Sequence, residues 1–245
     1  MAVNQIPRAQ DDLSRPGMTA RQKYSALVIG QPGWAALIRY ELVVLMSQAV
    51  PGALGLALRQ VLYPFLLGSC GRHVVFGQNV VLRHPHKIRI GDNVVIDDNC
   101  LIDAKGTSNT GISIGNGVFI GRNSILSSKN GDIELAEGAN IGFNCEIFSA
   151  SRVRVGERAL IAAYCYLIGG DHDFSDASQP VLEQARTSAG ITVGAGAWLG
   201  AGATILDGVE IGANAVVGAG AVVRTSVPER ATAVGVPARI IGTRG

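Results

Sequence analysis

The residues best equipped for chemistry surround His172. It stands in the run GGDHDFSD, Gly169 through Asp176, with Asp171 and Asp173 on either side. An imidazole titrates near pH 6.5 and can take a proton from an attacking hydroxyl or amine. A neighbouring carboxylate can orient the ring and raise its basicity. A lone histidine is more often a packing or surface residue, so the residues alone leave both roles open. Asn144, 28 residues earlier in IGFNC, reads by itself as a residue that stabilises a tight corner through its own backbone contacts. His84 and His86 flank Pro85 far up the chain. A zinc site needs three or four ligands converging on one point, so this pair predicts no metal site. With His73 and Lys87, it is expected to shape the end of the fold nearest the N-terminal segment.

The elements that must position these side chains follow from a repeat. Ile191 to Ser226 divides into ITVGAG, AWLGAG, ATILDG, VEIGAN, AVVGAG and AVVRTS. The third place is Val193, Leu199, Ile205, Ile211, Val217 or Val223; the first place is small or branched; the fourth is Gly in four of the six. Helices space apolar residues by three and four, and coiled coils by seven. A period of six fits short strands meeting at tight corners, three to a coil, in a parallel β-solenoid. The large aliphatic fills the prism, the small residue packs beside it, and Gly tolerates the corner. The period extends back through Leu167, Ile161, Val155, Ile147, Ile141, Leu135, Leu126, Ile120, Ile114, Ile102, Ile96 and Ile90 to Leu82 and Phe76. It slips by two residues at His84–Lys87, by three near Ser128–Asp132 and by two near Ser151–Val153. Between Leu167 and Val193 it is interrupted by about twenty residues, the loop that His172 opens. About seven coils are expected from Val74 to Ser226. Trp198, one place before Leu199, should face outward, and an exposed indole on a flat face needs a partner.

Four segments result: a polar, flexible tail over 1–23, an apolar segment over 24–70 without the period of six, the solenoid over 71–226 with a loop at 168–190, and a C-terminal tail over 227–245. In the second segment Trp34, Leu37, Ile38, Glu41, Leu42 and Leu45 predict an amphipathic helix, Pro51-Gly52 a break, and Leu54 to Tyr63 another helix. The favoured expectation is a helical cap over the open first coil, because a solenoid end exposes strand edges and core. In that case its apolar side chains are inaccessible. The alternative is a membrane-surface segment, for which part of the apolar face must be free. The longest uncharged run is interrupted by Pro51 and is too short to span a bilayer. A net charge of +2, with no basic stripe among aromatics, predicts no nucleic-acid partner. Cys100, Cys145 and Cys165 occupy the small-residue place and are expected to be buried thiols, consistent with a reducing cytoplasm. No secretory leader is expected. With only about 70 residues before the repeats and no phosphate-binding glycine loop, an upstream nucleotidyltransferase domain is not expected.

The repeat resembles that of the hexapeptide-repeat acyltransferases over roughly residues 74–242. Gly170 to Gly242 is most similar to their sugar, antibiotic and polysaccharide O-acetyltransferase branch. The resemblance implies an all-β, left-handed parallel β-helix with an N-terminal helical cap, against the usual right-handed crossover. It also implies a homotrimer using acetyl-CoA as co-substrate to acylate a small-molecule or glycan acceptor, which the thiols place in the cytoplasm and the membrane-surface alternative for 24–70 would place at its membrane periphery. Residue by residue, it implies His172 as catalytic base, with Asn144, Asp171 and Asp173 on the acceptor. Trp198 would pack on the pantetheine arm, Ala201 would offer its N–H to the thioester oxygen, and Ala219 would contact the pantetheine amides. Arg224 and Arg239 would approach the nucleotide phosphates, although both also suit plain solvated charge. Phe143, Tyr164 and Tyr166 could line the acceptor cleft but are expected chiefly to pack. In a trimer, His172 of one subunit would face Trp198 of the next. The rivals are N-acetyl transfer to an aminosugar, a metal-dependent hydratase on the same fold, and an inactive solenoid scaffold.

Overall fold

The computed structural model describes residues 17–245; most of the expected tail lies outside the described residues. The expected solenoid is present, as three parallel sheets of seven, nine and seven strands. Each coil contributes one strand to each sheet. The first coil comprises Ser69–Cys70, Val75–Phe76 and Val81–Arg83; the seventh comprises Glu210–Ile211, Val216–Val217 and Val222–Val223. Ala231–Val234 then joins the second sheet as the start of an eighth coil, and Arg239–Thr243 folds back antiparallel on it. The solenoid thus begins five residues before Val74, with a strand that carries no repeat signature.

Ile96, Ile120, Ile141, Ile161, Leu199 and Val217 sit in register along the second sheet, all fully buried. Fourth-place glycines serve close approach between coils: a Cβ on Gly200 would lie 2.6 Å from Ala219 N. The left-handed corner belongs to the sixth place, as at Gly202 with φ 70°. The expectation that fourth-place Gly relieves the corner is corrected accordingly.

All insertions fall at one corner, between the third sheet and the first. Along the second sheet the registers Val75, Val95, Phe119, Asn140, Leu160, Trp198 and Val216 are 20, 24, 21, 20, 38 and 18 residues apart. The excess over eighteen loops out at 84–87, 104–111, 129–131, 150–151 and 170–190. The 104–111 loop left the phase intact because its excess is six residues, one repeat.

Backbone hydrogen bonds run both ways between coils, with Asn93 N donating back to Arg72 O and Asn99 N to Gln78 O. An N–H of one coil donates to a carbonyl of the next, as Val75 N to Val94 O and Gly77 N to Ile96 O. The first coil has no coil before it, so its outward N–H groups and carbonyls take partners from the N-terminal segment: Asn79 N donates to Gln48 O and His84 N to Val28 O. Three helices precede it, α1 (Ala20–Tyr24), α2 (Trp34–Ser47) and α3 (Gly52–Leu62) with the turn after it; α2, α3 and that turn supply side-chain donors to its carbonyls. Tyr40 Oη of α2 donates to Leu82 O at 2.9 Å, Tyr63 Oη to Val80 O at 2.8 Å, and Arg59 Nε of α3 to Phe76 O at 2.9 Å. Arg59 also donates to Ser47 O and Val50 O. Burial raises both tyrosines, Tyr40 to about 12, so they remain donors. The last coil has the same need at the other end, and residues 227–238 meet it with carbonyls, accepting from Gly212 N, Gly218 N and Val222 N at Val227 O, Ala233 O and Gly235 O, and with donors, Arg230 N to Ala213 O and Ala238 N to Val222 O. α1 starts at Ala20 under a Thr19–Gln22 capping box, inside the stretch read as tail. Tyr24 hydrogen-bonds Glu41 of α2.

Candidate active site

His172 opens the longest insertion. Asp171–His172 pairs antiparallel with Arg186–Thr187, His172 opposite Arg186. The expected carboxylate support of the imidazole is absent from the described hydrogen bonds. Asp171 accepts from the backbone N–H of His172 at 2.7 Å, and Asp173 from Ser175 N at 2.9 Å. Both carboxylates therefore shape the chain. The backbone N–H of Ser175, more than any other group, holds the Asp173 carboxyl below its ordinary value. His172 Nδ1 and Arg186 Nε are shielded from water and have no hydrogen-bond partner among the described residues. Buried polar atoms in that state call for a group from outside the described chain.

The rest of the loop is braced. Asp176 accepts from Ser178 N, Ser178 Oγ and Gln179 Nε2, while Gln184 spans from Asp176 N to Asp176 O. At its exit Asp207 accepts from Ala189 N and Gly190 N at 2.7 and 2.9 Å. Phe174, Val181 and Leu182 are nevertheless exposed on it.

Trp198 lies on the outer face of the second sheet, half exposed, in register with Leu160 and Val216. The corner that follows carries Ala201 and, one coil on, Ala219; Gly220 N donates to Ala201 O at 2.8 Å. Trp198, Ala201 and Ala219 thus share the edge between the second and third sheets. The thin side chains leave the backbone accessible there. Arg224 is exposed at the far end of the third-sheet strand Val222–Val223, and Arg239 is exposed on the antiparallel strand beside the second sheet, donating to Ala238 O. The fold does not gather these two arginines with each other.

Asn144 has φ 56° at the second-to-third-sheet corner of coil four. Asn79, Asn99 and Asn123 hold the equivalent corners of the preceding coils, also with positive φ. Asn79 donates to Asn99 Oδ1 at 3.1 Å and Asn123 to Asn144 Oδ1 at 3.2 Å. This ladder accounts for an Asn at 144 without a ligand. Tyr164 takes the same corner in coil five with φ 63°. Tyr164, Tyr166 and Phe143 are exposed, so the expectation that they pack within the chain is corrected. With Leu160 and Trp198 they form an apolar, aromatic surface around this edge. The signal in the sequence was an aromatic at Tyr164 where the other corners use Asn or Gly.

His172 sits at the other end of the third sheet. Four strand residues, Tyr166–Gly169, separate the two edges in coil five, on the order of 13 Å at about 3.3 Å per residue. A space of about 830 Å³ lies instead near the N-terminal helices, and one of about 370 Å³ over the first sheet. Neither is lined by His172 or Trp198.

The other singled-out side chains are structural. Cys100, Cys145 and Cys165 are buried free thiols, as expected, their Sγ atoms within 3.0–3.2 Å of Gly121 O, Ala162 O and Gly200 O. Burial raises Cys100 to about 11. His84 is buried with Nε2 2.9 Å from Ala26 O, and its N–H donates to Val28 O at 2.7 Å. It docks the N-terminal segment. Among the described residues no three His, Cys, Asp or Glu side chains converge as metal ligands.

A period of six wound into three-sheeted coils, with one long loop, defines a parallel β-solenoid. Residues 190–225 match the family model "Bacterial transferase hexapeptide (six repeats)". Over 133 residues, 54% of this chain, it is 29% identical to a Mycobacterium tuberculosis protein named "Probable acetyltransferase", of which it spans 44%. Over 112 residues, 45% of this chain, it is 38% identical to Nodulation protein L of Rhizobium meliloti, of which it spans 60%. The chain thus spans about half the length of these curated relatives. The fold is shared with AntD, an N-acyltransferase from Bacillus cereus solved with dTDP-4-amino-4,6-dideoxyglucose and coenzyme A. That match has a TM-score of 0.55 at 22% identity and covers 73% of this chain and 84% of that one.

Proposed function

We propose that the chain is an acyl-CoA-dependent acyltransferase that moves an acetyl group from acetyl-CoA to a hydroxyl of a sugar, glycoside or related small molecule. One observation carries the reading: Trp198, Ala201 and Ala219 line one edge of the prism, while His172 stands on the adjacent edge. The first edge suits an extended thioester cofactor. The indole gives an apolar bearing, and the alanines leave backbone N–H groups open. The second edge supplies a base.

The acceptor oxygen attacks the thioester carbonyl as the His172 imidazole takes its proton. The developing oxyanion is held by the Ala201 N–H, the C–S bond breaks, and the thiolate leaving group takes a proton from the imidazolium. A hydroxyl is a poor nucleophile until it loses its proton, whereas a neutral amine attacks without prior help. An imidazole base therefore favours a hydroxyl acceptor. Asn144, Asp171 and Asp173 remain the proposed acceptor contacts, reached once their backbone roles are satisfied.

A flat solenoid face cannot enclose either substrate. We therefore place each site between subunits of a homotrimer, His172 of one chain facing Trp198 of the next; cyclic closure also covers the exposed aromatic edge and the apolar loop side chains. Arg224 and Arg239 then serve the nucleotide phosphates from separate positions. The test is thiol release from acetyl-CoA against a panel of sugars, aminosugars and glycosides. Release that depends on a hydroxyl acceptor supports the proposal. Release only with amines would replace O- by N-transfer, and none with any acceptor would overturn it.

A further inference from the structure

The two long N-terminal helices bury one face and expose another that is equally apolar. At about 100° per residue, Trp34, Ile38, Leu42, Leu45 and Met46 fall on one arc of α2, opposite Tyr40, Val43 and Ser47, which are buried. Leu45 is 81% exposed and Trp34 62%. On α3, Leu54, Leu56 and Val61 are exposed across from Gly55 and Arg59, which are buried; Gln60 is the single polar side chain on that exposed arc. Phe65, just beyond, is 64% exposed. A helix apolar all round is ordinarily buried on every side. Side chains this apolar gain from leaving water, so a face this continuous points to an occupant. The cap accounts for only half of the segment's apolar surface.

The surroundings say what the occupant is. Arg39 and Glu41 edge the α2 arc, and Arg21 lies over the Trp34 ring at 4.3 Å. Between Ala20 and Cys70 the exposed charges are three cations, Arg21, Lys23 and Arg39, against one carboxylate, Glu41. Trp34 also lines the cavity of about 830 Å³ between the N-terminal segment and the corner loops of the first three coils. Arg21, Lys87, Lys105 and Lys129 line that cavity, and no Asp or Glu among the described residues does. An apolar helical face with an indole at its edge, opening onto a cationic recess, matches the two parts of an anionic amphiphile. No helix among the described residues is long and apolar enough to cross a membrane.

We propose that α2 and α3 lie in the interface plane of an anionic lipid bilayer, with a lipid phosphate headgroup in the adjoining cationic cavity. Apolar insertion and attraction of cations to anionic lipid supply the two terms that such binding needs. The inference does not depend on the acyltransferase reading, because its readout is binding.

Purified full-length protein is mixed with vesicles of phosphatidylcholine, alone or with phosphatidylglycerol, and floated on a density gradient. Flotation with the anionic vesicles is expected, weakening with salt. A Leu45→Glu/Leu54→Glu variant should bind at least about tenfold more weakly while keeping the oligomeric mass and melting temperature of the parent. Arg21→Gln/Lys129→Gln should reduce flotation on anionic vesicles only. Failure to float on either composition overturns the proposal. So does a fall in oligomeric mass in the leucine variant, which would assign the face to subunit contact. Equal flotation on both compositions overturns the headgroup assignment.

Discussion

Arg59→Met tests the way the solenoid is started. Arg59 is 2% exposed, and its guanidinium serves three carbonyls, Phe76 O at 2.9 Å, Ser47 O at 2.9 Å and Val50 O at 2.8 Å. One lies on the first coil and two lie at the turn between α2 and α3, so a single side chain joins helices to solenoid. Methionine keeps much of the volume and removes every donor. Each buried carbonyl left without a donor costs about 1–2 kcal/mol. Release of a buried charge offsets part of that, giving a net loss of about 3 kcal/mol. Tyr63→Phe, which deletes one bond to Val80 O, should cost about 1 kcal/mol. Urea unfolding gives the energies. Hydrogen exchange gives the place: faster exchange should concentrate in residues 69–83 and in α2 and α3, with the coils beyond 112 unchanged. A loss below about 0.5 kcal/mol, or exchange spread evenly along the solenoid, would refute the idea that the helices act by satisfying the first coil's carbonyls.

His172→Ala should lower turnover roughly 10²- to 10⁴-fold with coenzyme A affinity within a few-fold, read by thiol release and calorimetry; near-parental turnover removes the base. Trp198→Ala should chiefly raise the KM for acyl-CoA. At acyl-CoA below the raised KM, mixed trimers of these two impaired variants should regain part of the activity, since one interface then pairs an intact His172 with an intact Trp198; no recovery would put both residues of a site in one subunit. Burial lowers His84 from 6.5 to about 4, so the unfolded chain binds the proton more readily than the native one. Its contribution is fully present above pH 6.5 and falls as pH drops toward 4, by up to about 3 kcal/mol. His84→Asn, which tolerates the positive φ of 51° at this site, should flatten the decline in melting temperature over that window. An unchanged slope would show that His84 does not carry it.

The solenoid was legible because its code is local. Each six-residue unit repeats the same demand, a large aliphatic inward and a small residue beside it, so Val193, Leu199 and Ile205 announce their burial without reference to anything distant. Cys100, Cys145 and Cys165 could be read as buried by the same rule. His172 and Trp198 stood out because they break it. What the repeat could not convey was anything at its ends or of its own length. The six-residue excess at 104–111 preserved the phase. Ser69–Cys70 is a strand because the second coil pairs with it. Arg59, Tyr40 and Tyr63 look like ordinary helix residues until the unpaired carbonyls of the first coil are in place. The Asn79–Asn144 ladder becomes visible only when coils of 20, 24 and 21 residues are stacked in register. The sequence by itself determined which residues face the prism, because burial in a solenoid follows from neighbours a few positions away. Only the tertiary structure decided which edges carry His172 and Trp198, what closes the first coil, and which helix face stays bare. Those depend on contacts between residues far apart in the chain, set by insertions that change the register from coil to coil.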